Sequence, residues 1–336
     1  MDAGFENMKP DVVSGDDNGQ DDSVALGNLQ CPCGRKEQLR IADGRYFCGG
    51  VGCVNAVKPF LSVEETPVLI SFDTTDTICA PEVYATRKVY KARPVRKLTH
   101  LVRRVVYGVS RKSQENVDRF IGLAKHVKPK PQVLIIGSGT QGNGTENLWA
   151  DQNVVRTGID IYPSLTVHFI ADAHYLPFKD KTFDGVFIQA VLEHVADPQT
   201  VVAEIARVLV PGGVVYSEIP FMQQVHEGAY DFTRFTPLGH RRLFRHFACH
   251  TVGGLGGPGI VLAWSVKYFL WALTRSKGVS IVLAAPVFLI GRLLDKFTSE
   301  KALWDAPSGS YFLGTKTESI ELRARDLPAL YHGFQR

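Results

Sequence analysis

The sequence predicts an α/β protein built on a mostly parallel sheet, preceded by a small cysteine-rich module. Three observations carry this. Short β-rich runs alternate with helical stretches from residue 131 to about 252, the pattern of βαβ units. An apolar run at 133–136 leads straight into a glycine-rich turn. Four of the six cysteines fall within residues 31–53. A length of 336 residues allows about two domains, and 45% apolar against 21% charged residues is enough to bury a core.

The elements follow in chain order. Residues 1–28 carry seven acids (Asp2, Glu6, Asp11, Asp16, Asp17, Asp21, Asp22) against Lys9, a net of −6. With few apolar residues, they read as a disordered acidic tail. The whole chain sums to +4, so the remainder stands near +10, which is compatible with an anionic partner or surface. No basic-then-apolar leader opens the chain; secretion is disfavoured and a cytoplasmic location is the expectation. The composition excludes a secreted mini-protein, a collagen, a coiled coil and a polytopic membrane protein.

Residues 29–73 form the cysteine module, with Cys31-x-Cys33, fourteen intervening residues, then Cys48-x4-Cys53. Two close thiolate pairs presented by tight turns suit tetrahedral zinc, and four protein ligands fill its shell, so a structural Zn2+ is expected. Four ordinary cysteines are the competing reading. Cys79 and Cys249 stand alone and read as apolar fillers.

Residues 74–130 read as a basic helical connector. Ten Lys and Arg and no acid lie between Arg87 and Lys112. Such a run suits phosphates of RNA or anionic lipid, or is a solvated helix face. With Tyr90 and Tyr107 alone interleaved, nucleic acid is the disfavoured partner.

Residues 131–336 then form one α/β domain. Strands are expected at 133–136, 155–161, 168–171, 185–189, 214–219 and 311–316. Asp197 caps a helix with Pro198 at its first position, and Val201, Val202, Ile205, Val208 and Leu209 form its buried stripe. Residues 254–310 are an apolar helical insertion. Neither of its two apolar stretches reaches the roughly 20 residues that span a bilayer, and Pro286 interrupts the longer. Helices packed over an acceptor site and a pair lying in a membrane interface both fit, since Trp, Tyr and Lys suit the headgroup boundary.

Gly137, Ser138, Gly139 and Gly142 let backbone N–H groups approach a ligand closely. Asp160, followed by Ile161, ends the next strand, where a carboxylate can accept hydrogen bonds from the ribose of NAD or of S-adenosylmethionine. On these residues alone both cofactors, and a turn with no ligand, stay open.

The segments IADAHYLPFKDKTFDGVFIQAVLEHVADP and RVLVPGGVVYSEIPF resemble class I S-adenosylmethionine-dependent methyltransferases, in order and over about residues 130–247. The resemblance implies a Rossmann-like three-layer sandwich with a seven-stranded, mostly parallel sheet. It also implies that Asp172 and Ala173 hold the adenine amine and that Gln189 lines the methyl donor. The family's usual G-x-G-x-G turn is longer here by one residue, which leaves open whether Gly142 or Gly144 approaches the methionine moiety.

His194, on the loop after the fourth strand, lies where an acceptor would enter. The H…YDFTRFTP pattern from His226 to Pro237 resembles the branch associated with glycan and lipid-linked saccharide methylation. On that resemblance His194 and His226 are candidate catalytic bases. Tyr230, Asp231 and Arg234 are candidate ligands of a hydroxylated or phosphorylated acceptor. A structural histidine, and an Arg234 that simply pairs with Asp231, are the plainer alternatives.

The run from Leu29 to Phe72, with its CPC knuckle, returning cysteine pair and closing Pro-Val-Leu, is similar to zinc-ribbon domains typified by the activator subunit of tRNA and protein methyltransferases. The expected function is therefore O-methylation of a small-molecule saccharide or lipid-linked glycan acceptor, with peripheral membrane contact. An RNA or protein methyltransferase using the ribbon and connector, and an NAD-dependent oxidoreductase, are the rivals.

Overall fold

The computed structural model describes residues 26–86, 110–318 and 322–335. Most of the expected acidic tail and of the basic run lies outside them. In the N-terminal module, β1 (Leu39–Ala42) and β2 (Arg45–Cys48) pair as an antiparallel hairpin. Asp43 and Gly44 both take positive φ at its turn, 49° and 69°, as a right-twisted two-residue hairpin requires. A second small hairpin joins β3 (Ser62–Val63) to β4 (Thr66–Pro67).

This module is continuous with the larger domain. Leu29, Leu39 and Leu69 are buried in one core with Phe169, Leu176 and Phe178. Leu29 bridges Phe178, Val68 runs parallel to Ile170, and the Leu69 N–H donates to the Ile170 carbonyl at 2.8 Å. The following segment, with α1 (Pro81–Ala85), packs Cys79 and Tyr84 against Ile170 and Val167. The connector expected over 74–130 is thus in part domain core. So is its other end, where α2 (Arg111–Val127) lays Val117, Phe120 and Ile121 on the sheet. Ser110 caps α2 by accepting from the Ser113 N–H.

The remaining elements are β5 (Gln132–Ile136), α3 (Glu146–Ala150), β6 (Val155–Asp160), β7 (Phe169–Ile170), β8 (Phe183–Gln189), α4 (Pro198–Val208), β9 (Leu209–Pro220), α5 (Pro237–Leu243) and β10 (Phe247–Leu255). After them come α6 (Pro258–Thr274), α7 (Lys277–Asp295), α8 (Ala302–Asp305) and β11 (Gly309–Lys316). Seven strands form one sheet in the order β10-β11-β9-β8-β5-β6-β7. β9, β8, β5, β6 and β7 are mutually parallel, and β11 runs antiparallel to both its neighbours.

α2 covers one face of the sheet, while α4, through Val201, Val202, Ile205 and Val208, covers the other. The Rossmann-like three-layer sandwich is therefore observed. The strand order reverses between β5 and β8, and ligands of such sheets bind outside the carboxyl ends of the strands at that point.

The insertion is a helical hairpin. Backbones approach so closely where α6 and α7 cross that a Cβ on Gly291 would lie 2.4 Å from the Gly259 carbonyl oxygen. Asp295 at the end of α7 caps α6, accepting from the N–H groups of Gly259 (2.7 Å) and Ile260 (3.0 Å). Contrary to the expectation from the apolar runs, α7 continues through Pro286 for 19 residues and is long and apolar enough to cross a membrane by length and composition. The apolar run at 278–291 underestimates it because the helix runs on through Arg292 to Asp295.

Candidate active site and cysteine centre

Gly137 follows β5 with φ 80°, and any Cβ there would collide with Val191 at 2.2 Å. The turn it makes aims the Gly139 N–H at Asp160, whose Oδ2 accepts at 2.8 Å while Oδ1 accepts from the Ile161 N–H at 2.7 Å. Burial pushes the Asp160 carboxyl up to about 6, against these backbone donors. Gly142 lies against the Gln189 amide, and Gly144 against α2 at Gln114 and Ser113. Of the two later glycines, Gly142 is therefore the one that borders the strand ends. Ser138 is buried and donates to the Thr166 carbonyl at 3.1 Å.

At the end of β7, Asp172 and Ala173 are both buried. Asp172 accepts from the His174 N–H (2.9 Å), from His174 Nδ1 (2.6 Å), and from the Thr77 hydroxyl. The Asp197 N–H donates to His174 Nε2 at 3.1 Å, which leaves Nδ1 as the protonated ring nitrogen. Burial would raise the Asp172 pKa, but His174 and Thr77 hold it below the usual carboxylate range. A carboxylate has about four lone-pair sites, so three internal donors leave room for one more.

Gln189, at the end of β8, donates to Glu218 at 2.7 Å and to the Asn143 carbonyl at 3.2 Å, while its Oε1 is buried with no hydrogen-bond partner among the described residues. Glu218 also accepts from the Tyr216 hydroxyl, and burial raises its carboxyl. Ala190 then takes a left-handed φ of 54°, a conformation a non-glycine residue holds only where its surroundings demand it.

Past that turn the two expected histidines come together. The His194 and His226 rings lie 5.0 Å apart, edge to face. Between them stands Glu193, fully buried, whose two carboxylate oxygens have no hydrogen-bond partner among the described residues. Burial pushes its carboxyl up to about 8. The loops are joined through the Glu193 carbonyl, which accepts from the Phe232 N–H at 2.8 Å. Asp231 pairs with Arg234, with Nη2 at 2.7 Å from Oδ2, and this guanidinium holds the Asp231 carboxyl down at about 2. Tyr230 is exposed beside them. His194, His226, Asp231 and Arg234 are thus one cluster.

Sequence reading passed over Glu193, Glu218 and Thr77. Glu193 was visible as the residue beside His194, but only the β8 and β9 loops meeting in space reveal its role.

In the cysteine module, Cys31, Cys33, Cys48 and Cys53 are all buried, unpaired as disulfides, with their sulfurs within 4.8 Å of one another. Cys31 Sγ lies 3.9 Å from Cys53 Sγ, and the Gly50 N–H points at Cys48 Sγ from 3.3 Å. Burial pushes the Cys31 thiol far up, so four thiolates share this space only with a cation among them. The donor set, spacing and N–H support fit a tetrahedral thiolate-bound metal.

Residues 134–217, the segment from β5 to β9, match the methyltransferase-domain family. That segment, a quarter of the chain, is similar to a methyltransferase domain. The chain is 33% identical over 114 residues to an O-methyltransferase of Penicillium expansum, an alignment covering 29% of this chain and 41% of that protein. It is 41% identical over 74 residues to a ubiquinone/menaquinone biosynthesis C-methyltransferase of Saccharophagus degradans, covering 21% and 30%. The chain therefore spans less than half the length of these curated relatives. Among solved structures, a Haemonchus contortus phosphoethanolamine N-methyltransferase 2 bound to S-adenosyl-L-methionine aligns at 15% identity and TM-score 0.37, over 66% of this chain and 57% of that one. The matched segment ends before the His226 loop, the hairpin and β11.

Proposed function

We propose that the protein transfers a methyl group from S-adenosylmethionine to an oxygen of a saccharide or lipid-linked glycan acceptor at the cytoplasmic face of a membrane. The observation that carries the reading is the meeting of two groups at the carboxyl ends of β5 to β9. Asp160 and the glycine turn suit a nucleoside, and the His194–His226 pair stands on loops leaving the same ends of the sheet, after β8 and β9. The family match supports methyl chemistry over nicotinamide chemistry at this turn.

S-adenosylmethionine supplies an electrophilic methyl on a sulfonium. In this reading Asp160 binds the ribose hydroxyls, Asp172 takes the adenine amine at its remaining acceptor site, and the orphaned Gln189 Oε1 accepts from the methionine ammonium. His194 Nδ1 is held by the Tyr230 carbonyl at 2.7 Å, which leaves Nε2 to take a proton from an acceptor hydroxyl. Tyr230 meets further hydroxyls, and Arg234, held in place by the buried Asp231 carboxylate, a phosphate. Most of the acceleration comes from holding donor and acceptor in line and excluding water. A structural Zn2+ at the four cysteines fixes the N-terminal module in the manner of the activator-type ribbons it resembles.

Membrane contact is supported by the hairpin. Leu262, Phe269, Leu273, Val282, Ile290 and Phe297 are exposed, and Lys277 lies over the Trp271 ring at 5.7 Å near the hairpin tip. α6 also reaches the acceptor loop, with the Tyr268 hydroxyl donating to the Val225 carbonyl at 2.7 Å. The test is transfer of radiolabelled methyl from S-adenosylmethionine to fractionated cell material by the purified chain. Label in an organic-extractable, glycosidase-sensitive fraction is the expected outcome. Label in RNA or protein, with none in that fraction, sinks the acceptor assignment.

A further inference from the structure

Glu193 is an unusual residue to find where it is. It is 0% exposed, neither oxygen is hydrogen-bonded among the described residues, and Arg234, the nearby cation, is already paired with Asp231. A buried carboxylate without donors is costly and calls for a counter-charge. Two imidazole nitrogens face it instead. His194 Nε2 lies 3.7 Å from Glu193 Oε1 and His226 Nε2 lies 3.8 Å from the same oxygen. One ligand atom from each of the three side chains falls within 4.8 Å of the others.

Both rings are oriented from behind. His194 Nδ1 contacts the Tyr230 carbonyl at 2.7 Å, which fixes its proton there and turns the Nε2 lone pair inward. His226 Nδ1 faces Asp231 Oδ2 at 3.3 Å and Arg234 Nη2 at 3.4 Å, so the ring is held by the Asp231–Arg234 pair with its Nε2 toward Glu193. The backbone joins the two loops as well, through the Phe232 and Glu193 contact. Ligands about 2.1 Å from a tetrahedral ion are about 3.4 Å apart, so both Glu193–His separations lie within a few tenths of an ångström of a bound set.

We propose that Glu193 Oε1, His194 Nε2 and His226 Nε2 form a second metal site, distinct from the four cysteines, that takes a divalent first-row cation beside the methyl donor. The inference deepens the methyl-transfer reading and rests on it. Two imidazoles and one carboxylate, with no thiolate, suit zinc, manganese or iron(II) and leave coordination positions for the acceptor. A cation there orients an acceptor hydroxyl and lowers its pKa. The hydroxyl proton leaves to solvent, the oxygen bonds to the methyl carbon, the carbon–sulfur bond breaks, and the sulfonium charge is cancelled. His194 then positions the hydroxyl through the ion in place of accepting its proton.

The probe is Mn2+, which disfavours thiolate sites, followed by electron paramagnetic resonance on the full chain supplied with one equivalent of zinc to fill the cysteines. We expect one bound Mn2+ per chain, and binding weakened at least about tenfold in Glu193→Gln and in His226→Asn. Glu227→Gln, an exposed carboxylate on the same loop, should bind as wild type. S-adenosylhomocysteine titration of the same samples reports folding and the cofactor site independently. Absence of saturable Mn2+ binding, or equal weakening in all three variants, overturns the metal site. If S-adenosylhomocysteine still binds in that case, the methyltransferase reading stands. Mn2+ binding with no S-adenosylhomocysteine binding leaves the metal site and removes that reading.

Discussion

The Thr77 hydroxyl donates a hydrogen bond to the Asp172 carboxylate, 95 positions along the chain. Thr77 comes from the segment that follows the cysteine module, and Asp172 from the strand end where an adenine is expected. Cys79 reinforces the link by donating its N–H to the Thr77 Oγ1 at 3.2 Å, and Tyr84 by donating to the Ile161 carbonyl at 2.9 Å. The wall of the proposed nucleoside site is therefore built partly from residues before the matched segment.

Thr77→Val keeps the shape and removes the donor. Hydrogen bonds to charged groups are worth about 1.5–3 kcal/mol, and a loss in that range is expected in urea unfolding, with weaker S-adenosylhomocysteine binding. Unchanged binding and stability would mean that the contact is incidental.

Asp160 gives a pH signature. In the proposed complex ribose hydroxyls donate to its ionised form, and burial pushes the carboxyl up to about 6 in the free protein. Cofactor affinity should be flat above that value and fall below it, by up to about tenfold per pH unit as the proton competes. Asp160→Asn should cost about 1–3 kcal/mol of binding near neutrality and lose the pH dependence. Calorimetry across this range decides it; a wild-type profile with no acid limb would show that Asp160 is not the acceptor.

His240 predicts how the fold fails in acid. It is fully buried between Ser217 and Ser310, at 2.9 and 3.0 Å, and burial holds its pKa at about 3. The unfolded chain binds a proton near 6.5, the folded one does not. Stability is thus complete above 6.5 and drains away as pH drops toward 3, by roughly 5 kcal/mol at most. Relative to wild type, His240→Gln should start less stable but show a shallower acid slope in denaturant titrations. Parallel slopes would rule the mechanism out.

Cys48→Ser should reduce bound zinc to well under half an equivalent at the cysteine site. Sequence spacing alone suggests that the large domain would survive this unharmed. The shared core of Leu29, Leu69, Phe169 and Phe178 says otherwise, and the melting temperature of the whole chain should fall. An unchanged transition in the metal-free variant would contradict this.

Replacing Phe269, Val282 and Phe297 together by Ser removes three side chains that are 65%, 71% and 82% exposed. Full burial of each is worth about 1.5–3 kcal/mol, so binding to anionic vesicles should drop by orders of magnitude with little loss of fold. Equal co-sedimentation of variant and wild type would show that the hairpin does not insert.

The strands between Gln132 and Pro220 were legible because apolar runs buried on both faces leave an unambiguous pattern, and Asp197-Pro198 announced α4 through capping chemistry. β10 was not, since FACHTVGGL has neither alternation nor a sustained apolar run. The candidate site was half legible. His194 and His226 were identifiable as reactive residues on two loops, whereas Glu193 acquires meaning only when both loops fold onto it. Thr77 was invisible, because a threonine far upstream carries no local sign of a long-range partner. The length of α7 was misjudged from composition, as a proline within a helix need not end it.

β7 is two residues long and lies at one border of the sheet, where unpaired amides would offer a template to other chains. Val68 and Leu69 lie along that border. The cysteine module therefore also acts as a guard against aggregation, and a chain trimmed to begin after it would be prone to self-association before any question of catalysis arose.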